Sequence, residues 1–311
     1  MLYAILFLLV SDIILLFLRI PGIIDSHNIM NYRRWSVIIT SAISVMLIAG
    51  GAINAIIPVV REYNIKIDKP AGDVQSLRIA AVSDIHLGSV IRKRSLRKLS
   101  GMIEAMHPDV VFLLGDIVDG ELGPVMRGDL LQYFKGPVTP DGLFAITGNH
   151  EFIGGAGRTI PYIESKGIRI LKDEIVILPG GIQVIGRLDR DSFRFFSKQR
   201  KPLEELIKNV DHSRPVILLD HQPFHLEVSE KCGVDLQLSG HTHNGQLWPL
   251  NYLVKMIYEV SYSYKKKGNT QIIVSSGYGL WGPRIRSGSR SEVLLINVEF
   301  AEKTITATIL S

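Results

Sequence analysis

The side chains best suited to chemistry in this 311-residue chain fall at five places: Asp84 and His86 in SDIH, Asp116 in GDIVD, Asn149 and His150 in GNHE, His221 in DHQP, and His241 and His243 in SGHTH. Asp84 and His86 stand two apart, so an extended or tightly turned segment lets both face one side. Gly115 allows the backbone to turn sharply as the Asp116 carboxylate leaves its strand. Leaving His150 aside, the set offers two carboxylates, one amide oxygen and four imidazoles. That is too many ligands for one tetrahedral zinc, but it suits two adjacent divalent cations sharing a bridging carboxylate. Oxygen and nitrogen ligands without thiolate favour manganese, iron or zinc over calcium. The single cysteine, Cys232, can make neither an intrachain disulfide nor a zinc–cysteine site.

Each of these groups follows a short apolar run of strand length: LRIAAV, VVFLL, LFAIT, PVILL and VDLQL. In layered α/β folds ligands gather outside the carboxyl ends of the strands, where loops present side chains without disturbing the sheet. Near-continuous apolar strands imply a sheet covered on both faces, and the stretches Arg92–His107 and Lys201–Asn209 read as covering helices, the first ending before Pro108. QIIVSS and EVLLINVEF read as further strands. A lone DxH or HxH is common on ordinary surfaces. What carries the reading is that five of the nine histidines fall at successive predicted strand ends.

The first 60 residues are different in kind, with only five charged side chains: Asp12, Arg19, Asp25, Arg33 and Arg34. The 26 residues between Arg34 and Arg61 carry no charge, and as a helix they would extend roughly 39 Å at about 1.5 Å per residue, enough to span a bilayer. Met1–Leu18 is a weaker span, because an aspartate near a helix centre costs on the order of 2.5 to 3.5 kcal/mol on insertion. No positive charge precedes this run, which argues against a cleaved signal peptide. The expected organisation is a membrane anchor over 1–60, with transmembrane helices at about 1–20 and 35–60, a linker over 61–76, and a catalytic domain over 77–311. Arg19, Arg33 and Arg34 flank the loop between the spans, and the positive-inside tendency holds that loop in the cytoplasm. YRRWSVII also resembles a twin-arginine export signal. Both point to the cell membrane with the catalytic domain extracytoplasmic. The net charge of +5 is too small for a chain of this size to imply nucleic-acid binding.

Taken in order, SDIH, GDIVD, GNHE, DHQP and SGHTHNGQ resemble the full motif set of the calcineurin-like metallophosphoesterases. GHTHNGQLWP and GYGLWGPRIRSGSRSEV are similar to the tail of that superfamily's membrane-anchored bacterial branch. The resemblance implies an α/β fold, a four-layer αββα sandwich of two central sheets flanked by helices, here preceded by the N-terminal transmembrane helices. It implies that Asp84, His86 and His243 hold one metal, that Asn149, His221 and His241 hold the other, and that Asp116 bridges both. The two divalent ions would be manganese, iron or zinc, and the reaction would be in-line attack of a metal-bridging hydroxide on a phosphodiester or pyrophosphate bond. His150 would be no ligand but would face the phosphate and serve the leaving oxygen as a catalytic group, with Asp119 fixing its orientation and charge.

Arg284 and Arg286, in a Gly- and Pro-rich loop, are candidate substrate-binding residues able to clamp a second phosphate or a sugar acid. Trp248 and Trp281 could line the same pocket. The expected partners are the bilayer and a phosphate-ester substrate, lipid-linked or envelope-derived. A UDP-diacylglucosamine-type pyrophosphate hydrolase of lipid A precursor synthesis is the alternative, although its nucleotide-linked substrate would be cytoplasmic. A nuclease would call for a basic groove that the sequence lacks, and a non-catalytic metal-stabilised scaffold would be expected to have lost a ligand or His150.

Overall fold

The computed structural model describes residues 1–25, 27–135, 139–196 and 199–302. The chain opens with two antiparallel helices, α1 (Leu2–Arg19) and α2 (Ile29–Ile56). They are tied by polar contacts in an otherwise apolar pair: Ser11 Oγ donates to Ser36 Oγ at 2.7 Å and Tyr32 OH donates to the Ser11 carbonyl at 2.8 Å. Their outward faces leave Leu9, Phe17, Val45 and Met46 exposed. A helix apolar on faces that no protein covers belongs in lipid or against another partner.

The remaining chain builds two six-stranded sheets. The first has the order β1 (Val59–Pro70), β12 (Glu292–Ala301), β2 (Ser76–Val82), β3 (Val110–Leu114), β4 (Leu143–Ile146), β5 (Arg169–Ile170). The second runs β10 (Ser263–Lys267), β11 (Thr270–Val274), β9 (Leu236–Ser239), β8 (Val216–Leu219), β7 (Ile182–Gly186), β6 (Glu174–Leu178). β2 through β5 are parallel, as are β7, β8, β9 and β11.

Side chains alternate across a strand, and here both faces are apolar. Ile79, Phe112, Leu114 and Ile146 meet Val184, Ile217, Leu219 and Leu238 between the sheets. Ala80, Val111, Leu113 and Ala145 turn outward onto Leu96, Leu99 and Ile103 of α3 (Lys93–Met106). On the far side Ile185, Val216 and Leu218 pack on Leu203 and Leu206 of a short helix. The order of layers is therefore α/β/β/α. Full burial of each such Leu, Ile or Phe contributes about 1.5–3 kcal/mol, which makes the sandwich a firm frame for the loops at its edge.

One expectation is corrected. Much of the 61–76 stretch, read as a linker, is strand β1, paired in parallel with β12 from Val59↔Glu292 onward. Its period-two pattern explains this: Ile65 and Ile67 are buried while Lys66 between them and Asp68 after them face water. Only Ile57 and Pro58 separate α2 from β1, so the helical pair is joined directly to the sheet.

Candidate metal centre

Five parallel strands deliver the candidate ligands at their carboxyl ends. Asp84 and His86 follow β2, Asp116 follows β3, Asn149 follows β4, His221 follows β8, and His241 and His243 follow β9. The two sheets thus converge on one place, and backbone bonds lock the loops together: Asp84 N donates to the Gly115 carbonyl, His86 N to the Asp116 carbonyl and Gly240 N to the His221 carbonyl.

Ligand atoms of Asp84, His86 and His243 lie within 4.8 Å of one another, and so do those of Asp116, His221 and His241. Asn149 Oδ1 joins the second group at 3.0 Å from His241 Nδ1. The groups touch: His86 Nε2 is 3.1 Å from His243 Nε2 and 3.9 Å from Asp116 Oδ2, while Asp116 Oδ2 is also 3.2 Å from His221 Nε2. Asp116 therefore stands between the two sets. His150 lies close enough to His86 and Asp116 to form a third cluster with them, but its Nδ1 is 3.1 Å from Asp119 Oδ1.

A test of fit comes from His221. Its Nδ1 is 2.7 Å from the Leu114 carbonyl, which can only accept, so that nitrogen carries a hydrogen. The other ring nitrogen, Nε2, is buried, has no hydrogen-bond partner among the described residues, and faces the Asp116 carboxylate. A buried polar atom left unmade is expensive, and a divalent cation between imidazole and carboxylate would satisfy both. The charges around these groups divide them. Burial pulls the His221 imidazole down, but the charges of Asp116, Asp84 and Asp189 outweigh it and raise its pKa well above the ordinary value. Burial also opposes ionisation of Asp84 and Asp116, yet the surrounding imidazoles hold both carboxyls below their usual range. By contrast His241 is pushed down to about 4, by burial and then by His221, and His243 well below its ordinary value, by burial and then by His86 and Arg286. Ionised Asp84 and Asp116 beside neutral His241 and His243 are donors a divalent ion prefers.

Five of the seven candidate ligands, Asp84, His86, Asp116, His241 and His243, have φ between 47° and 70°. Left-handed backbone at a non-glycine residue costs on the order of 1–3 kcal/mol, persists only when its surroundings over-determine it, and concentrates at functional sites. The surroundings here include Glu151, which is fully buried and accepts from the backbone N–H groups of Gly148, Asp116, Ile117 and Val118 at 2.7–3.0 Å. Burial, then the charge of Asp116, pushes its carboxyl up to about 7. Gly148 is required by close approach, since a Cβ there would collide with Asp116 Oδ1.

Asp119 Oδ1 faces two rings, His150 Nδ1 at 3.1 Å and His86 Nδ1 at 3.2 Å, so it orients both. Burial pulls His150 down, but the Asp119 hydrogen bond and the charge of Asp116 leave its pKa above the ordinary value. His150 lines a cavity of about 470 Å³ together with Asp116, Asn149, His241, Gln246 and Trp281.

The two arginines are corrected. Arg286 is 0% exposed. Its guanidinium donates to the carbonyls of Gly279 and Ser276 and to Ser289 Oγ, and its Nη2 lies 3.1 Å from His243 Nδ1, so it supports a candidate ligand and has no donor facing the cavity. Arg284 is exposed and lines a separate groove with Ile56, Arg94 and Lys98. Both sit in a loop pinned against α2, where Arg286 N donates to the Gly51 carbonyl at 2.8 Å. Trp281 reaches the cavity, whereas Trp248 stacks on Phe7 of α1. Glu151 was in view within GNHE, but only its four backbone partners reveal its role.

The family model for calcineurin-like phosphoesterases matches residues 77–245. An "Uncharacterized metallophosphoesterase" of Aquifex aeolicus is 33% identical over 77% of this chain and 91% of its own length. One of the same description from Helicobacter pylori is 32% identical over 78% of this chain, and a "Transmembrane protein with metallophosphoesterase domain" of Danio rerio is 27% identical over 81% of it. These matches span 64% and 60% of the length of the Helicobacter and Danio relatives.

Proposed function

The chain belongs to the calcineurin-like phosphoesterase family, and from that premise we propose that it is a membrane-tethered, dinuclear-metal hydrolase of phosphodiester or pyrophosphate bonds. The observation that carries this reading is the pair of ligand groups meeting at Asp116, with His221 Nε2 buried and unpaired against it. Asp84, His86 and His243 would hold one cation, Asn149, His221 and His241 the other, and Asp116 both. Bound divalent ions supply Lewis acidity and an activated water at neutral pH.

The chain's own groups do the rest. His150 sits on the cavity wall with Nδ1 toward Asp119. Because a carboxylate only accepts, Asp119 fixes the hydrogen on Nδ1 and leaves Nε2 to hold or deliver a proton at the leaving oxygen. The Asp119 hydrogen bond favours the protonated ring. Leu247, Leu250, Val254 and Ile153 give the same cavity an apolar wall, which suits a substrate with an apolar portion such as a phospholipid or lipid-linked diester.

Membrane tethering rests on α1 and α2, whose outward faces are apolar and uncovered. The end of α1 carries Arg19 and the start of α2 carries Arg33 and Arg34, all beside the turn remote from the metal cavity. The positive-inside tendency then assigns that turn to the cytoplasm and the catalytic domain to the other side. This orientation disfavours the UDP-diacylglucosamine-type reading, whose substrate is cytoplasmic.

The test is hydrolysis of bis(p-nitrophenyl) phosphate by detergent-solubilised protein loaded separately with manganese, iron or zinc. Metal-dependent turnover abolished by chelator is expected, and no hydrolysis with any of the three would overturn the reading.

A further inference from the structure

Beyond the two long helices, one element leaves an apolar face uncovered. The helix Leu250–Ile257 has no buried residue. Leu250 and Val254, four apart, line the metal cavity. One step round the helix, Tyr252, Leu253, Met256 and Ile257 form a single stripe at i, i+1, i+4 and i+5, exposed by 57%, 53%, 79% and 64%. Scattered exposed hydrophobics need no explanation, but four contiguous ones on an amphipathic helix do. Lys255 stands off this stripe with its Nζ 5.9 Å from the Tyr252 ring, where a long side chain can lay its stem on apolar surface and keep its charge in water.

What covers the stripe is indicated by where the helix begins. Trp248, two residues before it, stacks on Phe7 of α1 with ring centroids 6.0 Å apart, and its backbone N–H donates to Ser287 Oγ, which also bonds Tyr3 OH. If α1 spans the bilayer, its 18 residues measure about 27 Å at about 1.5 Å per residue, close to the ~30 Å hydrocarbon thickness, so Leu2 must lie at one interface. Phe7 is then about 7–8 Å inward from Leu2. On α2 the same side of the bilayer is contacted, where the Gly51 carbonyl, five residues before the end of that helix at Ile56, accepts from Arg286 N. Trp248, packed on Phe7, therefore reaches about 7–8 Å below the headgroup–acyl boundary, within the interfacial zone where tryptophan is enriched.

We propose that the Leu250–Ile257 helix lies in the plane of that boundary with Tyr252, Leu253, Met256 and Ile257 among the acyl chains, a third membrane contact that holds the mouth of the metal cavity against the lipid surface. The occupant of the stripe is the bilayer itself, because the helix begins two residues after Trp248, which packs on Phe7 of the apolar helix α1. In-plane amphipathic helices bury their apolar face about 5–10 Å into this boundary, which matches the depth set by α1. The proposal rests on reading α1 and α2 as membrane spans, and it deepens the functional reading by bringing a lipid phosphodiester to the cavity without leaving the membrane.

The experiment uses the full chain in a Cys232→Ala background, one copy per lipid nanodisc, with a nitroxide on Met256→Cys and, separately, on Leu253→Cys. Collisional access to oxygen and to a water-soluble nickel chelate is compared with labels on Leu9→Cys of α1 and on Ile177→Cys of β6, both exposed positions. The expected result is an oxygen-to-nickel ratio at 253 and 256 several-fold above that at 177 and close to that at 9. A ratio like that at 177, with Leu9 still reporting lipid, overturns the proposal and leaves the two spans standing. Shielding of 253 and 256 from both probes means that protein covers the stripe and also overturns it. A label at Leu9 that reports water removes the membrane-spanning reading, and the proposal falls with it.

Discussion

The two sets of candidate ligands sit side by side and are built differently. Asp84, His86 and His243 are all buried, and they are backed by Ser83, Asp119 and Arg286. Asn149, His221 and His241 include two partly exposed members, and Asn149 opens the short helix Asn149–Ile153. The first set contributes a carboxylate of its own besides the shared Asp116, and the second contributes a neutral amide in its place. Coulomb attraction for a divalent cation is therefore greater in the first set, while the second puts two members, Asn149 and His241, on the cavity wall against His243 alone from the first. A single centre can thus be tight on one side and accessible on the other, with Asp116 the element common to both.

Breaking the shared element should have the largest effect. Asp116→Asn is expected to lose both cations and reduce hydrolysis to background, as read by metal analysis and turnover together; retention of one stoichiometric ion with normal turnover would separate the two sets. Next is His150→Ala, which removes the proton donor but none of the seven ligands. Turnover is expected to fall by about 10²–10⁴-fold, with metal content unchanged. Arg286→Lys probes the first set alone. Lysine cannot reproduce the fork that binds Gly279, Ser276 and Ser289 beside His243, so affinity for the first ion should drop by about 10–100-fold while the second is spared. Equal weakening of both in a titration would refute the division. The smallest effect sharpens the comparison without a mutation: stepwise chelation should remove the ion held by Asn149, His221 and His241 first, seen as two separate phases in isothermal titration.

Much of this centre was legible in the sequence, because strand ends announce themselves. SDIH, GDIVD, GNHE, DHQP and SGHTH each follow an apolar run that becomes a parallel strand, and the seven residues expected to gather do gather. What the sequence did not yield depends on contacts distant along the chain. The role of Glu151 lies in four backbone N–H groups, three of them more than thirty residues away. Arg286 looked like a surface clamp because its neighbours are Gly, Pro and Ser, residues of exposed loops. Nothing local shows that α2 folds over that loop through Gly51 and Asn54. Strand β1 was hidden for a similar reason: after a long apolar helix, its alternation of charged and apolar residues reads as a polar tether until β12 is there to pair with it. The left-handed backbone at Asp84, His86, Asp116, His241 and His243 has only a faint signal in residue type, since Asp and His enter that region more readily than most side chains but none of the five is glycine.

The measurement that bears most directly on the account is anomalous diffraction from hydrolytically active protein, combined with metal analysis of the same material. The account predicts two ions per chain, both bound to Asp116, one also to Asp84, His86 and His243 and the other to Asn149, His221 and His241. A single ion or none in active protein, or an Asp116 side chain bound to neither, would contradict it.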